Sequence, residues 1–305
     1  MSQPVFWIAF NVFVLLMLAL DLGVFRGRDG GVSFREALVR SAIWIGLALA
    51  FAAILFHWQG RTPALEFVTG YVIELSLSVD NLFIFLLIFR YFNVPQEHQQ
   101  TVLAWGIVGA LVLRAVFIFA GVGLLRRFHF ITYLLGALLV YSGIKLFRHG
   151  KGKIDPESNP LLRVFRKLVP VTDTFEGAKF FVRRPTLYAT PLLIVLLVIE
   201  ATDVAFAVDS IPAILAITLN AFVVYTSNVF AILGLRSMYF ALAGMLDIFH
   251  YLHYGLAVIL TFVGAKMLAS AYIEIPTLVT LGVVGAVLAA SVGASLINPK
   301  KGAQA

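Results

Sequence analysis

Nine long apolar runs, parted by short polar breaks, organise the chain: residues 4–25, 37–57, 66–91, 101–125, 129–148, 187–213, 221–246, 254–273 and 276–297. Each reaches the ~20 residues a helix needs to cross the hydrocarbon core of a bilayer. The pattern predicts an all-α, polytopic transmembrane helical bundle of about nine spans. The first run is too long for the apolar stretch of a signal peptide and lacks a basic start and a small-residue cleavage site, so it is read as a span.

One break differs from the rest. Residues 149–186 are long and basic, yet too few for an independent catalytic domain. Within them, 159–169 puts Leu161, Leu162, Phe165 and Leu168 on one helical face and Arg163, Arg166 and Lys167 elsewhere. Such a segment suits a helix lying on an anionic leaflet, or equally a solvated basic connector.

The chain also repeats itself. Glu74-Leu-Ser-Leu-Ser-Val-Asp80-Asn81 aligns without a gap on Asp203-Val-Ala-Phe-Ala-Val-Asp209-Ser210. Each motif is followed by a span with one central arginine, Arg114 or Arg236. Next comes a span in which Tyr133, Gly143 and Lys145 match Tyr254, Gly264 and Lys266 at equal spacing. Each unit has three spans, an odd number, so the second enters the membrane in the opposite direction to the first. A 3+3 inverted-topology repeat is expected, with a site near the midplane where corresponding helices meet; a duplicated scaffold without transport is the plainer alternative. The resulting organisation is an N-terminal two-helix segment (1–65), repeat 1 (66–148), the basic loop (149–186), repeat 2 (187–273) and a last helix with a short tail (274–305).

Composition agrees with this picture: 61% of the 305 residues are hydrophobic and 13% charged, with a mean hydropathy of +0.95. The net charge of +7 would suggest a nucleic-acid partner in a soluble protein. Here its distribution gives orientation instead. With nine spans, sixteen of the 23 Lys and Arg residues fall on the side of the 149–186 loop and the C-terminus, and three (Arg61, Arg126, Arg127) on the other. Positive charge marks the cytoplasm, so the N-terminus is expected outside, the C-terminus inside, and nucleic acid is not expected as a partner. Homo-oligomerisation is left open by the sequence.

The few acids carry the chemistry. Glu74, Asp80, Glu200, Asp203 and Asp209 lie within apolar spans three and six. Facing lipid, five such charges would cost more than about 12 kcal/mol, so they must face the interior and meet cations or protons. Ion pairs to Arg114 and Arg236 are the simplest satisfaction, but two arginines cannot neutralise five carboxylates. Glu74, Ser78 and Asn81 form one helical stripe, as do Asp203, Ala207 and Ser210. Asp80 and Asp209 lie off those stripes, so either they line a second interior surface or the helix opens there; Pro212 makes opening reasonable in span six. Asp21 is a weaker pathway candidate, Lys266 could neutralise an acid when no cargo is bound, and Asn228 reads as a link between helices.

Carboxylates, Asn81, Ser210 and loosened carbonyls are hard oxygen donors suited to Mg²⁺, Ca²⁺ or Mn²⁺. The chain has no cysteine, and its six histidines sit in loops or at span ends, His250 and His253 included. Thiolate metal sites and haem are therefore disfavoured, no organic cofactor is expected, and no catalytic motif of a soluble enzyme is present.

The stretches Val72-Ile-Glu-Leu-Ser-Leu-Ser-Val-Asp-Asn81, the run from Val198 through Glu200, Asp203 and Asp209 to Ile217, and Thr226-Ser-Asn-Val-Phe-Ala-Ile-Leu-Gly-Leu-Arg236 resemble the TerC family, its Alx-type members above all. The resemblance runs from about residue 5 to 297, the 149–186 loop apart. It implies an inner-membrane protein of some nine helices, linked to manganese export and to tellurite resistance. It also implies ion ligands at Glu74, Asp80, Asn81, Glu200, Asp203 and Asp209, in agreement with the acids reached from burial cost and repeat symmetry; Arg114 and Arg236 remain their charge partners from span position. Manganese comes from the resemblance alone. The expected function is a secondary transporter exporting Mn²⁺ by alternating access. A membrane scaffold or biogenesis factor with a tellurite-resistance phenotype, and a Ca²⁺ or general divalent cation–proton exchanger, are the competing readings.

Overall fold

The computed structural model describes residues 3–24, 34–128, 130–149, 170–172, 174–183, 187–243, 251–270, 272–273 and 275–297. Among these, nine α-helices follow the apolar runs: α1 (Gln3–Val24), α2 (Phe34–Gln59), α3 (Arg61–Tyr91), α4 (Gln96–Arg127), α5 (Ile131–His149), α6 (Pro191–Leu215), α7 (Ala221–Ala243), α8 (Leu252–Ala269) and α9 (Thr277–Ile297). Six of the nine are long and apolar enough throughout to cross a membrane. The protein is an all-α polytopic membrane protein.

Burial runs in the sense a bilayer requires. On α4, Leu103, Ile107, Ala110, Arg114, Ile118, Val122 and Leu125 form one buried stripe, while Trp105, Val112, Val116 and Phe119 face outward. Large apolar side chains are likewise exposed on α1 (Ile8, Leu15, Leu16) and α9 (Leu278, Val279, Leu296). In water such a surface would aggregate; in lipid it is the solvated face. The hub is α7, with 83% of its apolar window buried, packed by α2, α3 and α4. Phe10, Phe51, Phe67, Phe222 and Phe230 join α1, α2 and α3 to it, and the Tyr225 hydroxyl donates to Asn11 Oδ1 across 2.9 Å.

Two antiparallel contacts organise the interior. Moving along α3 from Gly70 to Asn81, the neighbour on α6 changes from Ile214 to Asp203. Between α5 and α8 the approach is backbone to backbone: a Cβ on Gly264 would stand 2.7 Å from the Gly136 carbonyl oxygen, and one on Gly143 would stand 2.7 Å from that of Ala257. Glycine permits this closeness because it has no side chain to interpose. The α2–α3 junction needs glycine for another reason, since Gly60 turns the chain at φ +93°.

Two expectations are corrected and one open alternative is decided. The sixth apolar run starts as helix at Pro191 rather than residue 187, because Leu187–Ala189 forms strand β2, antiparallel to β1 (Phe181–Arg183). The hairpin is tied in by backbone bonds from Thr172 to Ala189 and from Ala189 to Pro170, each 2.9 Å. The third run starts earlier than expected, at Arg61, because Gly60 alone makes the turn. Finally, α6 does not open at Asp209: it runs through Pro212 to Leu215, with Ala216 N–H bonding the Pro212 carbonyl at 2.9 Å. The helix loses only the bond that a Pro212 N–H would have made to the Val208 carbonyl. The expected surface helix at 159–169, His250, Lys300 and Lys301 of the C-terminal tail and the Asp21 side chain lie outside the described residues.

Candidate ion-binding site

Four helices converge on one guanidinium. Arg114, mid-way along the buried stripe of α4, is 1% exposed. Its Nε and Nη2 donate to Asp203 Oδ2 and Oδ1 on α6, at 3.3 and 3.1 Å. Its Nη1 forms an ion pair with Glu74 on α3 and lies 3.5 Å from Asn228 Oδ1 on α7. Asn81, two turns after Glu74 on α3, donates from Nδ2 to Asp203 Oδ1 at 3.3 Å. Glu74 and Asp203 are as buried as the arginine. Removing these charges from water is expensive, and only the close, multiply hydrogen-bonded geometry offsets it.

The helical stripes place these groups as the sequence pattern required. Glu74, Ser78 and Asn81 share the inward face of α3, and Asp203, Ala207 and Ser210 that of α6; all six are buried. The two faces meet because α3 and α6 are antiparallel neighbours. On these two faces and on Glu200 are buried hard oxygens with no hydrogen-bond partner among the described residues: Ser78 Oγ, Asn81 Oδ1, Ser210 Oγ and Glu200 Oε2.

Glu200 lies one turn before Asp203 and is half-buried against α4. Its carboxylate rests on Gly109, where any Cβ would collide with it, and Glu200 Oε1 is 4.0 Å from a Cβ built on Gly106. Arg236 on α7 is 3% exposed and, with Asp203, Phe85 and Ile107, lines a cavity of about 10 Å³, room for roughly one water molecule.

Of the six expected ligands, the structure thus brings Glu74, Asn81 and Asp203 together around Arg114, and seats Glu200 on the adjoining face of α4. Asp80 and Asp209 belong to α3 and α6, but their side chains lie outside the described residues. Among the described residues no three carboxylates or imidazoles gather closely enough to hold a metal by themselves. Asn228 bridges α7 to α4, as its reading as an interhelical link required, and does so through the arginine. Lys266 meets a different acid from those of the repeated motifs: its Nζ donates to Thr280 on α9 at 3.1 Å, and its acidic neighbour is Glu66, early in α3. Glu66 escaped the sequence reading because its burial depends on α8 and the α6–α7 turn packing over it.

The family described as "Integral membrane protein TerC family" matches residues 59–303. A membrane protein of Myxococcus xanthus is 49% identical over 300 residues, covering 98% of this chain and 94% of that protein. A protein of Escherichia coli K12, provisionally named membrane-bound redox modulator Alx, is 46% identical over 299 residues, 94% of this chain and 92% of its own. A Rickettsia bellii membrane protein is 39% identical over 293 residues, 96% of this chain and 97% of its own. No solved structure matches the chain.

Proposed function

The chain belongs to the TerC family of integral membrane proteins, and from that premise we propose that it is a secondary transporter carrying divalent metal cations, Mn²⁺ first among them, out of the cytoplasm across the inner membrane by alternating access. The observation that carries this reading is the meeting of Glu74 and Asp203, one acid from each repeated motif, at a single buried point between α3 and α6. Carboxylates so placed are costly, and membrane proteins keep them where an ion or proton must pass.

The pairing of the two units supports an inverted repeat. Aligning Tyr133–Lys145 on Tyr254–Lys266 exchanges Gly136 with Ala257 and Gly143 with Gly264. The contacts Gly136–Gly264 and Gly143–Ala257 are therefore each other's images, the behaviour of a two-fold axis in the membrane plane. By the alignment of the two acidic motifs, the Asn81–Asp203 pair maps onto Ser210 and Glu74, which share no hydrogen bond among the described residues.

The ligands would be Glu74, Asp80, Asn81, Glu200, Asp203 and Asp209. Their hard oxygens serve Mn²⁺, Ca²⁺ and Mg²⁺ alike, so Mn²⁺ rests on the family and is tested by competition. The redox name of the Escherichia coli relative fits transport: this chain has no cysteine for thiol exchange, whereas changing the supply of a redox-active metal alters redox state from a distance. The test compares cytoplasmic manganese in cells expressing wild type, Asp80→Asn, Asp203→Asn or Asp209→Asn at equal abundance. Wild type is expected to lower it and the variants to fail; variants that lower it as well as wild type sink the site assignment.

A further inference from the structure

Arg114 occupies the space a cation bridging Glu74 and Asp203 would need. Its Nη1 faces Glu74, and its Nε and Nη2 hold both oxygens of Asp203 at 3.3 and 3.1 Å. A divalent ion shared by those carboxylates would bind at about 2.0–2.6 Å from their oxygens, inside the volume the guanidinium fills. Charge leads to the same exclusion. Two carboxylates and one arginine sum to −1, and two carboxylates and a divalent cation to zero. With the guanidinium still against both carboxylates, a divalent cation would face a positive charge at close range in low dielectric, a repulsion that falls as the guanidinium moves away.

We infer that Arg114 is a tethered counter-cation: it fills the carboxylate pair when cargo is absent and is displaced when a divalent cation binds. The inference rests on the transport reading and adds to it the means by which an empty carrier stays neutral enough to reorient.

Two further observations support displacement over a purely structural ion pair. The arginine already has a second acceptor beside the carboxylates, Asn228 Oδ1 at 3.5 Å from Nη1, on a side chain with no exposure. A short swing towards α7 would leave the guanidinium with that acceptor. The inward faces of α3 and α6 that carry these carboxylates also hold oxygens that accept no hydrogen bond among the described residues, Asn81 Oδ1 beside Asp203, Ser78 Oγ and Ser210 Oγ, all on residues more than nine-tenths buried. A helix-packing salt bridge has no use for unpartnered buried acceptors, each of which costs stability. A cation arriving between α3 and α6 would use them.

The test is a calorimetric Mn²⁺ titration of the purified full-length protein in detergent, paired with Mn²⁺ flux in vesicles reconstituted with the same preparations. Folded Arg114→Gln is expected to bind Mn²⁺ about 5–150-fold more tightly than wild type, the usual range for coupled binding events. Its net flux is expected to fall, because the empty carboxylates have lost the charge with which they return. Should Arg114→Gln not accumulate as folded protein, Arg114→Lys carries the test. A single ammonium cannot hold both Asp203 oxygens in a fork, so it yields to Mn²⁺ more readily and affinity rises. Wild-type binding and flux with affinity unchanged or weakened in the variant overturn the counter-cation and leave the transporter standing. No Mn²⁺ binding by wild type or variant overturns both.

Discussion

At the scale of single residues, the centre of this protein is a set of charges that satisfy one another and little else. Asp203 accepts from Arg114 twice and from Asn81 once, so Asp203→Ala strips two donors of their partner in a dry site. Breaking a buried pair from one side costs about 3–5 kcal/mol, and a large fall in the detergent melting temperature is the expected reading. Replacing all three partners together, as Arg114→Met with Asp203→Leu and Glu74→Leu, is expected to cost less than Asp203→Ala alone, because no member of the set is then left charged without its partner; a triple variant as unstable as the single losses combined would show that the set contributes more than its own neutralisation. Gly109→Ala tests Glu200 in a different way. A methyl there meets the Glu200 carboxylate, which can swing aside, so stability should hardly change while Mn²⁺ affinity drops if that carboxylate helps to hold the ion. The acids and both arginines were legible in the sequence, since lipid forbids lone charges. Which acid meets which arginine was not, because Glu74, Arg114, Asp203 and Asn228 are far apart in sequence and are joined only by helix packing.

At the scale of elements, the α5–α8 crossing is the tightest contact described, and it depends on the absence of Cβ atoms. Gly264→Ala would press a methyl 2.7–2.8 Å from the Gly136 carbonyl and from Leu139 Cβ and Val140 N. Forcing backbones apart in a packed interior costs about 1–3 kcal/mol, so lower thermal stability is expected, with Gly143→Ala behaving alike. Gly282→Ala on α9 meets nothing within 4 Å and should be neutral or slightly stabilising, as alanine favours helix by up to about 1 kcal/mol over glycine. Matched melting curves for the three variants settle the comparison. The helices themselves were readable from their apolar lengths to within a few residues. The short hairpin Phe181–Ala189 was not, because three-residue strands carry no periodic signal and its bonds to Pro170 and Thr172 are set by the return of the chain to α6.

For the whole molecule, the open quantity is orientation, and the chain offers a clean way to measure it. It contains no cysteine, so each introduced cysteine is the sole target of a membrane-impermeant thiol reagent. Labels at positions 153 and 303 are expected to react only from the cytoplasmic side, and one at position 97, exposed at the start of α4, with them, since an even number of spans separates these sites in the predicted topology. A label at position 61 should react only from outside. Reaction of 61 and 153 from the same side would undo both the orientation and the odd-span repeat. The basic bias that predicts this is a whole-chain sum; no single loop contains it, and the fold adds nothing to it because a helix bundle without its bilayer looks the same either way up. What the fold does add is size. The space beside Asp203 and Arg236 admits about one water molecule, so an ion wearing its full hydration shell does not fit there. A cation entering that space beside Asp203 would have to shed water, with protein oxygens standing in for it. Mg²⁺ gives up its waters reluctantly, so entry into a space this small would select against it through the cost of dehydration, before any ligand has expressed a preference.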